Sequence, residues 1–342
     1  MSKQKITIKD VAAAANVHSS TVSRVLNAAT RHMVSEEVAL RITRIADELG
    51  YARSSLASGL RTGKSFTVGV IIPDLTNPVF PPVVRGIERA LAVAGYIAVL
   101  ADSDNSARSE RAIFDSMRSR RADGLILATA HLQDPIVSAC INEHLPVVLV
   151  NRTIDSAEVT AVINNDDLGI ELAVSHLIDL GHRNIAYLGG PDDTSTGRDR
   201  RVAFERLGNE GRFSMNPDNC VSCVAFTAEA GQEGMSSILD RGENFSAVVA
   251  ANDLLALGCY DALGERGLVC PNDISVTGFN DMPFMNRLSP PLTTVHIPHD
   301  ELGVQAAELL IEEMQGGSAT RKTIRLDPKL VVRGSTARQT SS

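Results

Sequence analysis

Ser19, Ser20, Ser23 and Arg24 fall on the outward side of a short helical pattern whose inward side is Val22, Val25 and Leu26. Three hydroxyls and a guanidinium on one exposed face are groups that recognise. Hydroxyls donate and accept, and the arginine fork can bond guanine O6 and N7 together. Elsewhere the chain holds fragments of catalytic or metal-binding patterns, each incomplete. Cys220-Val-Ser-Cys223 has the two-residue gap of a redox or zinc pair, but no second pair or histidine pair lies at zinc-finger spacing. It reads as small residues in a strand. Asp102-Ser103-Asp104 begins like a calcium loop, yet Ala107 stands where the sharp-turn glycine belongs. Gly189-Gly190-Pro191 follows a candidate strand without the Gly-x-Gly-x-x-Gly fingerprint. Walker, Gly-x-Ser-x-Gly and His-Glu-x-x-His patterns are missing as well. No catalytic site, metal or cofactor is expected.

The elements around the polar face are short helices. Thr7 with Asp10 three residues on starts one, and Ile8, Val11, Ala12 and Ala15 mark its apolar side. Asn16-Val17-His18 forms a turn, and a second helix runs from about Ser19 to Leu26. Ser35 opens a third, with Val38, Ile42, Ile45 and Leu49 inward and Gly50 as its stop. Two short helices across a tight turn, braced by a third, make the helix-turn-helix plan.

Charge follows the same division. The 342 residues carry 33 Lys and Arg against 41 Asp and Glu, a net of −8. Residues 1–64 hold ten of the bases and five of the acids, so this head is +5 and the rest is −13. A basic head on an acidic body suits a polyanionic partner for the head alone. No run approaches the ~20 apolar residues of a membrane span, and Met1 to Lys5 leads into a polar segment without a signal core. A cytoplasmic protein without a membrane partner is expected.

The segment from Ile8 to Asn27, Ile-Lys-Asp-Val-Ala-Ala-Ala-Ala-Asn-Val-His-Ser-Ser-Thr-Val-Ser-Arg-Val-Leu-Asn, resembles the N-terminal signature of LacI-family bacterial repressors. The likeness continues through Val34-Ser35, Leu49-Gly50-Tyr51 and Leu60-Arg61-Thr62-Gly63-Lys64 into the body. It implies that Ser19, Ser20 and Arg24 meet base edges. Thr21, Ser23 and Asn27 are better placed for phosphates, which fix register rather than sequence. It also implies that residues 54–62 are a hinge helix that inserts Leu60, followed by Arg61, into the minor groove at the centre of the operator. A plain linker leucine is the alternative for Leu60. Three departures stand out: His18 replaces the usual Ser or Thr cap, so a weaker cap is expected; the Asn27-to-Val34 loop is about two residues longer than in a relative; and Arg53 replaces a proline before the hinge.

From Phe66 the chain alternates apolar runs with amphipathic stretches. Candidate strands are 68–72, 97–101, 124–127, 147–150, 161–163, 185–188, 221–224, 247–250 and 275–278. Helical patterns lie between, as at 82–94, 108–120, 167–180 and 254–266. That alternation predicts two open α/β lobes with their strand C-termini at a shared cleft. The expected organisation is a small all-α head, 1–53, a hinge, 54–64, and a Rossmann-like two-lobed body, 65–336. The N-lobe is assigned about 65–163 and 292–322, the C-lobe about 164–291 and 323–336, and 337–342 a disordered tail.

This body resembles the periplasmic-binding-protein-like effector domain of LacI repressors. The residues carrying the likeness are Pro73 to Phe80, Asp123-Gly124, Val150-Asn151-Arg152, Gly181-His182, Gly189-Gly190-Pro191, Ala251-Asn252-Asp253, Gly278 to Asp281 and Pro291 to Thr294. Carried over position by position, it implies an effector site of Asn77, Phe80, Asn151, Arg152, Arg200, Phe226, Asn252 and Asn280. Aromatic faces and planar amides suit a sugar-like polyol. Plainer readings are core for Phe80 and Phe226, a solvated helix start for Arg200, and turn residues for Asn151 and Asn280. Asn280 replaces an aspartate common in sugar-binding relatives and Ile297 a glutamine, which leaves room for a less polar or partly acidic effector.

Three functions compete. A transport or sensing module explains the cleft but normally needs a signal peptide and has no use for the head. An α/β hydrolase lacks a nucleophile or acid pair at workable spacing. The reading that uses both halves is a non-enzymatic transcriptional repressor, a homodimer on a pseudo-palindromic operator, governed by a small effector. The tail after Arg333 has no leucine heptads, so no tetramer is expected.

Overall fold

A computed structural model of the chain describes residues 6–26, 30–51, 64–156, 159–242, 244–317 and 321–339. The chain divides into two compact units, Met1–Phe66 and Thr67–Ser342.

The first unit contains helices α1 (Ile8–Ala14), α2 (Ser19–Val25) and α3 (Glu36–Glu48). Thr7 and Asp10 close a capping box on α1, with the Thr7 N–H 2.7 Å from Asp10 Oδ2. His18 does cap α2: its Nδ1 accepts from the Ser20 N–H at 3.3 Å, so an imidazole fills the role of the hydroxyl. Gly50, at φ 66°, ends α3, and the Tyr51 N–H reaches back to the Ala46 carbonyl at 2.8 Å. Val11, Ala12, Ala15, Val22, Val25, Ala39, Ile42 and Ala46 form the core. Leu49, expected inside, is 37% exposed, because the chain turns at Gly50 and Tyr51 packs there instead.

The second unit is built on two six-stranded sheets. The strands of the first are β1 (Thr67–Ile72), β2 (Ile97–Asp102), β3 (Gly124–Leu127), β4 (Val147–Val150), β5 (Thr160–Asn164) and β11 (Thr323–Leu326), ordered β11-β5-β4-β3-β1-β2. All its pairings are parallel. Helices α4 (Phe80–Val93), α5 (Ala107–Ser119), α6 (Pro135–Asn142) and α11 (His299–Met314) belong to this lobe. The second sheet takes β6 (Ile185–Gly189), β7 (Cys220–Ser222), β8 (Ala247–Ala250), β9 (Ser275–Asn280), β10 (Thr293–His296) and β12 (Lys329–Val331), ordered β12-β10-β9-β8-β6-β7. Only the β10–β12 pair in it is antiparallel. Its helices are α7 (Asp166–Asp179), α8 (Ser195–Asn209), α9 (Ala228–Asp240) and α10 (Asp253–Glu265).

Two lobe boundaries differ from the sequence reading. The strand at 293–296 lies beside β9 in the C-lobe, so the chain crosses after His296 and not at 292. The strand at 323–326 lies beside β5 in the N-lobe, so the last crossing comes after Leu326 and not at 323. Both strands are four residues of mixed polarity whose place is set by pairing, not by an apolar run. The tail also differs: the Ala337 N–H donates to Ser275 Oγ at 3.1 Å and the Gln339 N–H to the Leu180 carbonyl at 2.9 Å. Residues 337–339 are therefore docked on the C-lobe.

Each lobe contains one helix pair in backbone contact. A Cβ on Gly303 of α11 would stand 2.0 Å from the Val83 carbonyl oxygen of α4, and one on Gly86 2.3 Å from that of Asp300. In the C-lobe, a Cβ on Gly258 of α10 would stand 2.1 Å from the Ala228 oxygen of α9. These glycines let the helices pack closely over their sheets.

Candidate nucleic-acid interface and effector cleft

In the head, the inward residues of α2 seat it on α1 and α3 while its other side stays open. Ser20 and Arg24 are exposed, and Ser19, Thr21 and Ser23 are half-buried. The Thr30 hydroxyl donates to the Arg24 carbonyl at 3.0 Å, which ties the next segment to the end of the helix. Asn27, Leu60, Arg61 and most of the expected hinge lie outside the described residues.

In the body, the strand C-termini of both sheets meet at a cleft of about 270 Å³. All eight residues named from the sequence line it: Asn77, Phe80, Asn151, Arg152, Arg200, Phe226, Asn252 and Asn280. Helices α4, α8 and α10 begin at its wall, so their N-terminal dipole ends face the cleft. Phe80, the first residue of α4, is buried. Phe226 lies so close to Gly190 that a Cβ there would meet the ring at 2.1 Å. Asn77 Oδ1 accepts from the Val79 N–H at 3.1 Å, and Asn252 caps α10 through the Leu255 N–H at 2.8 Å. Asn151, at φ 67°, accepts from Asn164 Nδ2 at 3.2 Å. Asn280 closes β9 at φ 111°, and its buried Oδ1 has no hydrogen-bond partner.

The two arginines differ sharply. Arg200 is 2% exposed, which excludes a solvated helix start. Its Nε donates to Asp166 Oδ1 at 2.8 Å, another guanidinium N–H donates to the Ala251 carbonyl at 2.6 Å, and its plane lies 3.7 Å from the Phe279 ring centroid. Burial raises the Asp166 pKa while Arg200 pulls it back down. Arg152 is 7% exposed and makes one long bond, 3.4 Å to the Thr129 carbonyl. Its Nε has no partner, and burial pushes its guanidinium down to about 10.

Sequence reasoning missed Asp74, Asn105, His131, Asp193, Thr194 and Thr196, which also line the cleft. Asn105 and His131 follow β2 and β3, and Asp193 and Thr194 follow β6. The rule that strand C-termini open on the cleft, applied to every strand, points to them. Several of these join the lobes. His131 Nδ1 is 3.2 Å from Asp193 Oδ2, and the Leu132 N–H donates to the Asp193 carbonyl at 2.9 Å. The Thr153 N–H donates to Ser195 Oγ at 2.9 Å, and Arg198 pairs with Asp155.

Cys220 and Cys223 are free thiols, and burial pushes both up to about 11. A thiol so far from ionisation at neutral pH is a poor nucleophile.

Residues 7–54 match the family of bacterial regulatory proteins named lacI, and residues 174–336 match the periplasmic binding protein-like domain. The chain is 34% identical over 337 residues to the ribose operon repressor of Escherichia coli (strain K12), covering 96% of this chain and 99% of that one. It is 32% identical over 333 residues to the HTH-type transcriptional repressor PurR of Klebsiella pneumoniae, covering 97% of each. Among solved structures, the lac repressor dimer bound to operator and the anti-inducer ONPF matches with a TM-score of 0.85 at 25% identity, over 98% of this chain and 100% of that one. A LacI family transcriptional regulator from Enterococcus faecium with bound ribose matches with a TM-score of 0.70 at 28% identity, over 80% of this chain and 100% of that one. With a helix-turn-helix head, a two-lobed cleft and this likeness along nearly its whole length, the chain belongs to the lacI family of bacterial regulatory proteins and is a DNA-binding transcriptional regulator under small-effector control.

Proposed function

We propose that this regulator is a cytoplasmic, non-enzymatic repressor that binds a pseudo-palindromic operator as a homodimer and responds to a sugar-like effector in the cleft. The observation that carries the reading is the convergence of the eight named residues on one cleft, in a chain whose separate head presents the polar face of α2. In the major groove, Arg24 makes a bidentate contact to guanine, with Ser19 and Ser20 beside it at base edges. Thr21, Ser23 and Asn27 hold phosphates, and Leu60 with Arg61 works in the minor groove at the dyad.

Two exposed features favour the homodimer. Strand β2 is a sheet edge with Ile97 69%, Val99 38% and Leu100 41% exposed, and Val93 beside it is 88% exposed. An open apolar edge of this kind is normally covered by a partner, and a twofold partner matches a palindromic site. The ribose bound by the Enterococcus faecium regulator supports an effector of pentose size.

A mobility-shift assay on promoter fragments, with and without a panel of sugars, tests the whole reading. The expected result is a sequence-specific complex that one sugar or sugar derivative dissociates or tightens. Arg24→Ala should lose about 1–3 kcal/mol of discrimination per half-site while keeping non-specific affinity. Equal binding of the wild-type protein to operator and scrambled duplex would overturn it.

A further inference from the structure

We infer that the effector is a hydroxylated anion, a sugar acid or sugar phosphate, whose anionic group seats on the Arg152 guanidinium. The inference rests on the proposed effector cleft and adds the charge of its occupant.

Two guanidinium groups face the cleft, and only one has a carboxylate: Arg200 is bonded to Asp166 at 2.8 Å. Among the described residues, no acid forms an ion pair with Arg152, although Arg152 is buried. Its Nε is without a partner, and its one hydrogen bond is long and goes to a neutral carbonyl. A buried charge is held at a cost unless an opposite charge meets it.

The acids nearby do not supply that charge at contact. Glu110 is buried behind Thr129, whose hydroxyl donates to it, and so reaches Arg152 through an intermediary. Burial also raises its pKa. Asp193 is 68% exposed and paired with His131. Asp74 is taken by the Thr76 N–H at 2.7 Å and the Thr76 hydroxyl at 2.6 Å. The remaining field in the cleft favours an anion as well, because α4, α8 and α10 each point an N-terminus at it.

The occupant also carries hydroxyls. Asn280 Oδ1 is a buried acceptor without a donor at the cleft wall. A carboxylate has no proton to offer it at neutral pH and a phosphate monoester is mostly the dianion, whereas a sugar hydroxyl always has one. Phe80 and Phe226 offer apolar faces to the C–H surface between these groups. A carboxylate and a phosphate share the chemistry Arg152 recognises, a planar or tetrahedral set of oxygens able to take two N–H bonds.

Matched probes on the full chain separate the possibilities. Isothermal titration would compare D-ribose with D-ribonate and D-ribose 5-phosphate, and D-glucose with D-gluconate. At least one acid or phosphate should bind about tenfold or more tightly than its neutral parent, the worth of a charge-assisted bond. Preference for the acids assigns a carboxylate, and preference for ribose 5-phosphate a phosphate. Arg152→Gln should remove that preference, and Arg152→Lys should keep part of it. A ligand-free readout guards against a folding defect: melting of Arg152→Met without effector should occur at the wild-type temperature or above it. If neutral sugars bind as well as or better than their acids, or no anionic probe binds, the inference fails while effector control by another ligand stands. A marked drop in the ligand-free melting temperature of Arg152→Met also overturns it, since Arg152 would then be a structural residue already compensated. Loss of operator binding in the wild-type protein would instead count against the parent reading.

Discussion

Arg200 faces the cleft and also holds the C-lobe together, so removing it does two things at once. Arg200→Ala would leave Asp166 buried and unpaired at 7% exposure, a situation that costs about 3–5 kcal/mol. Urea unfolding should show that loss, and the double variant Arg200→Ala with Asp166→Ala should recover much of it. A single variant as stable as wild type would mean that the pair carries no net weight. Asp253 offers a second test at this scale. It is fully buried, accepts from the Met282 N–H at 2.7 Å and the Thr294 hydroxyl at 2.5 Å, and burial pushes its pKa up from 3.8 to about 7. The folded state therefore binds this proton more tightly than the unfolded chain. The stability Asp253 contributes is whole below pH ~4 and is lost as pH rises towards 7. The stability gap between wild type and Asp253→Asn should shift against wild type by on the order of 1–4 kcal/mol across that window and stay flat above it. A gap that does not change between pH 4.5 and 8 would contradict this. The positions of the eight cleft residues were legible in the sequence through resemblance alone. Their pairings were not: Asp166 and Ala251, which hold Arg200, lie 34 and 51 residues away along the chain. No local pattern distinguishes a paired arginine from the unpaired one at 152.

At the scale of elements, periodicity served well where burial is one-sided or complete. The nine strands and four body helices read from the sequence all correspond to elements here, with ends displaced by a residue or two. The three strands that escaped notice, β10, β11 and β12, are short, and two are sheet edges whose residues are mostly exposed or half-buried. Thr-Ile-Arg-Leu of β11 alternates over only four residues, and β10 and β12 do not alternate, so none stands out by periodicity, and missing them displaced two lobe boundaries. His18 keeps the cap of α2, because an imidazole nitrogen can accept from a backbone N–H as a hydroxyl does. Helix packing supplies the test here. Gly303→Ala puts a methyl 2.0 Å from the Val83 oxygen and must push α11 from α4, at a cost of about 1–3 kcal/mol. Gly264 near the end of α10 has open space, so Gly264→Ala should instead be neutral or stabilise by about 0.5–1 kcal/mol. Calorimetry on both variants should therefore move the melting point in opposite directions or leave only the second unmoved. If both raise it alike, helix propensity rather than close approach governs these sites.

For the whole molecule, control depends on how the two lobes are joined. Three chain crossings connect them, after β5, β10 and β11, and among the described residues polar contacts such as His131 with Asp193, Leu132 with Asp193, Thr153 with Ser195 and Arg198 with Asp155 fasten them at the cleft. The exposed pairs, His131 with Asp193 and Arg198 with Asp155, are worth little individually because water screens them. The bond from the Thr153 N–H to Ser195 Oγ is different, since Ser195 is 3% exposed and its loss strands a backbone donor. Ser195→Ala should thus bias the lobes apart by about 1–2 kcal/mol without touching the head. An effector that contacts both lobes must then spend part of its binding energy on closing them, and its affinity falls by up to about tenfold. If lobe closure is what operator binding senses, linkage sets a strict condition. Saturating operator must change effector affinity by the same factor that saturating effector changes operator affinity, about 5–150-fold for a coupling of 1–3 kcal/mol. Titrations of each ligand with and without the other measure both factors, in wild type and in Ser195→Ala. The variant should move the two factors together, because one conformational equilibrium underlies both. Should effector affinity fall while the two coupling factors keep their wild-type value, Ser195 is a contact of the cleft alone, and the signal to the head travels by a route that does not include closure.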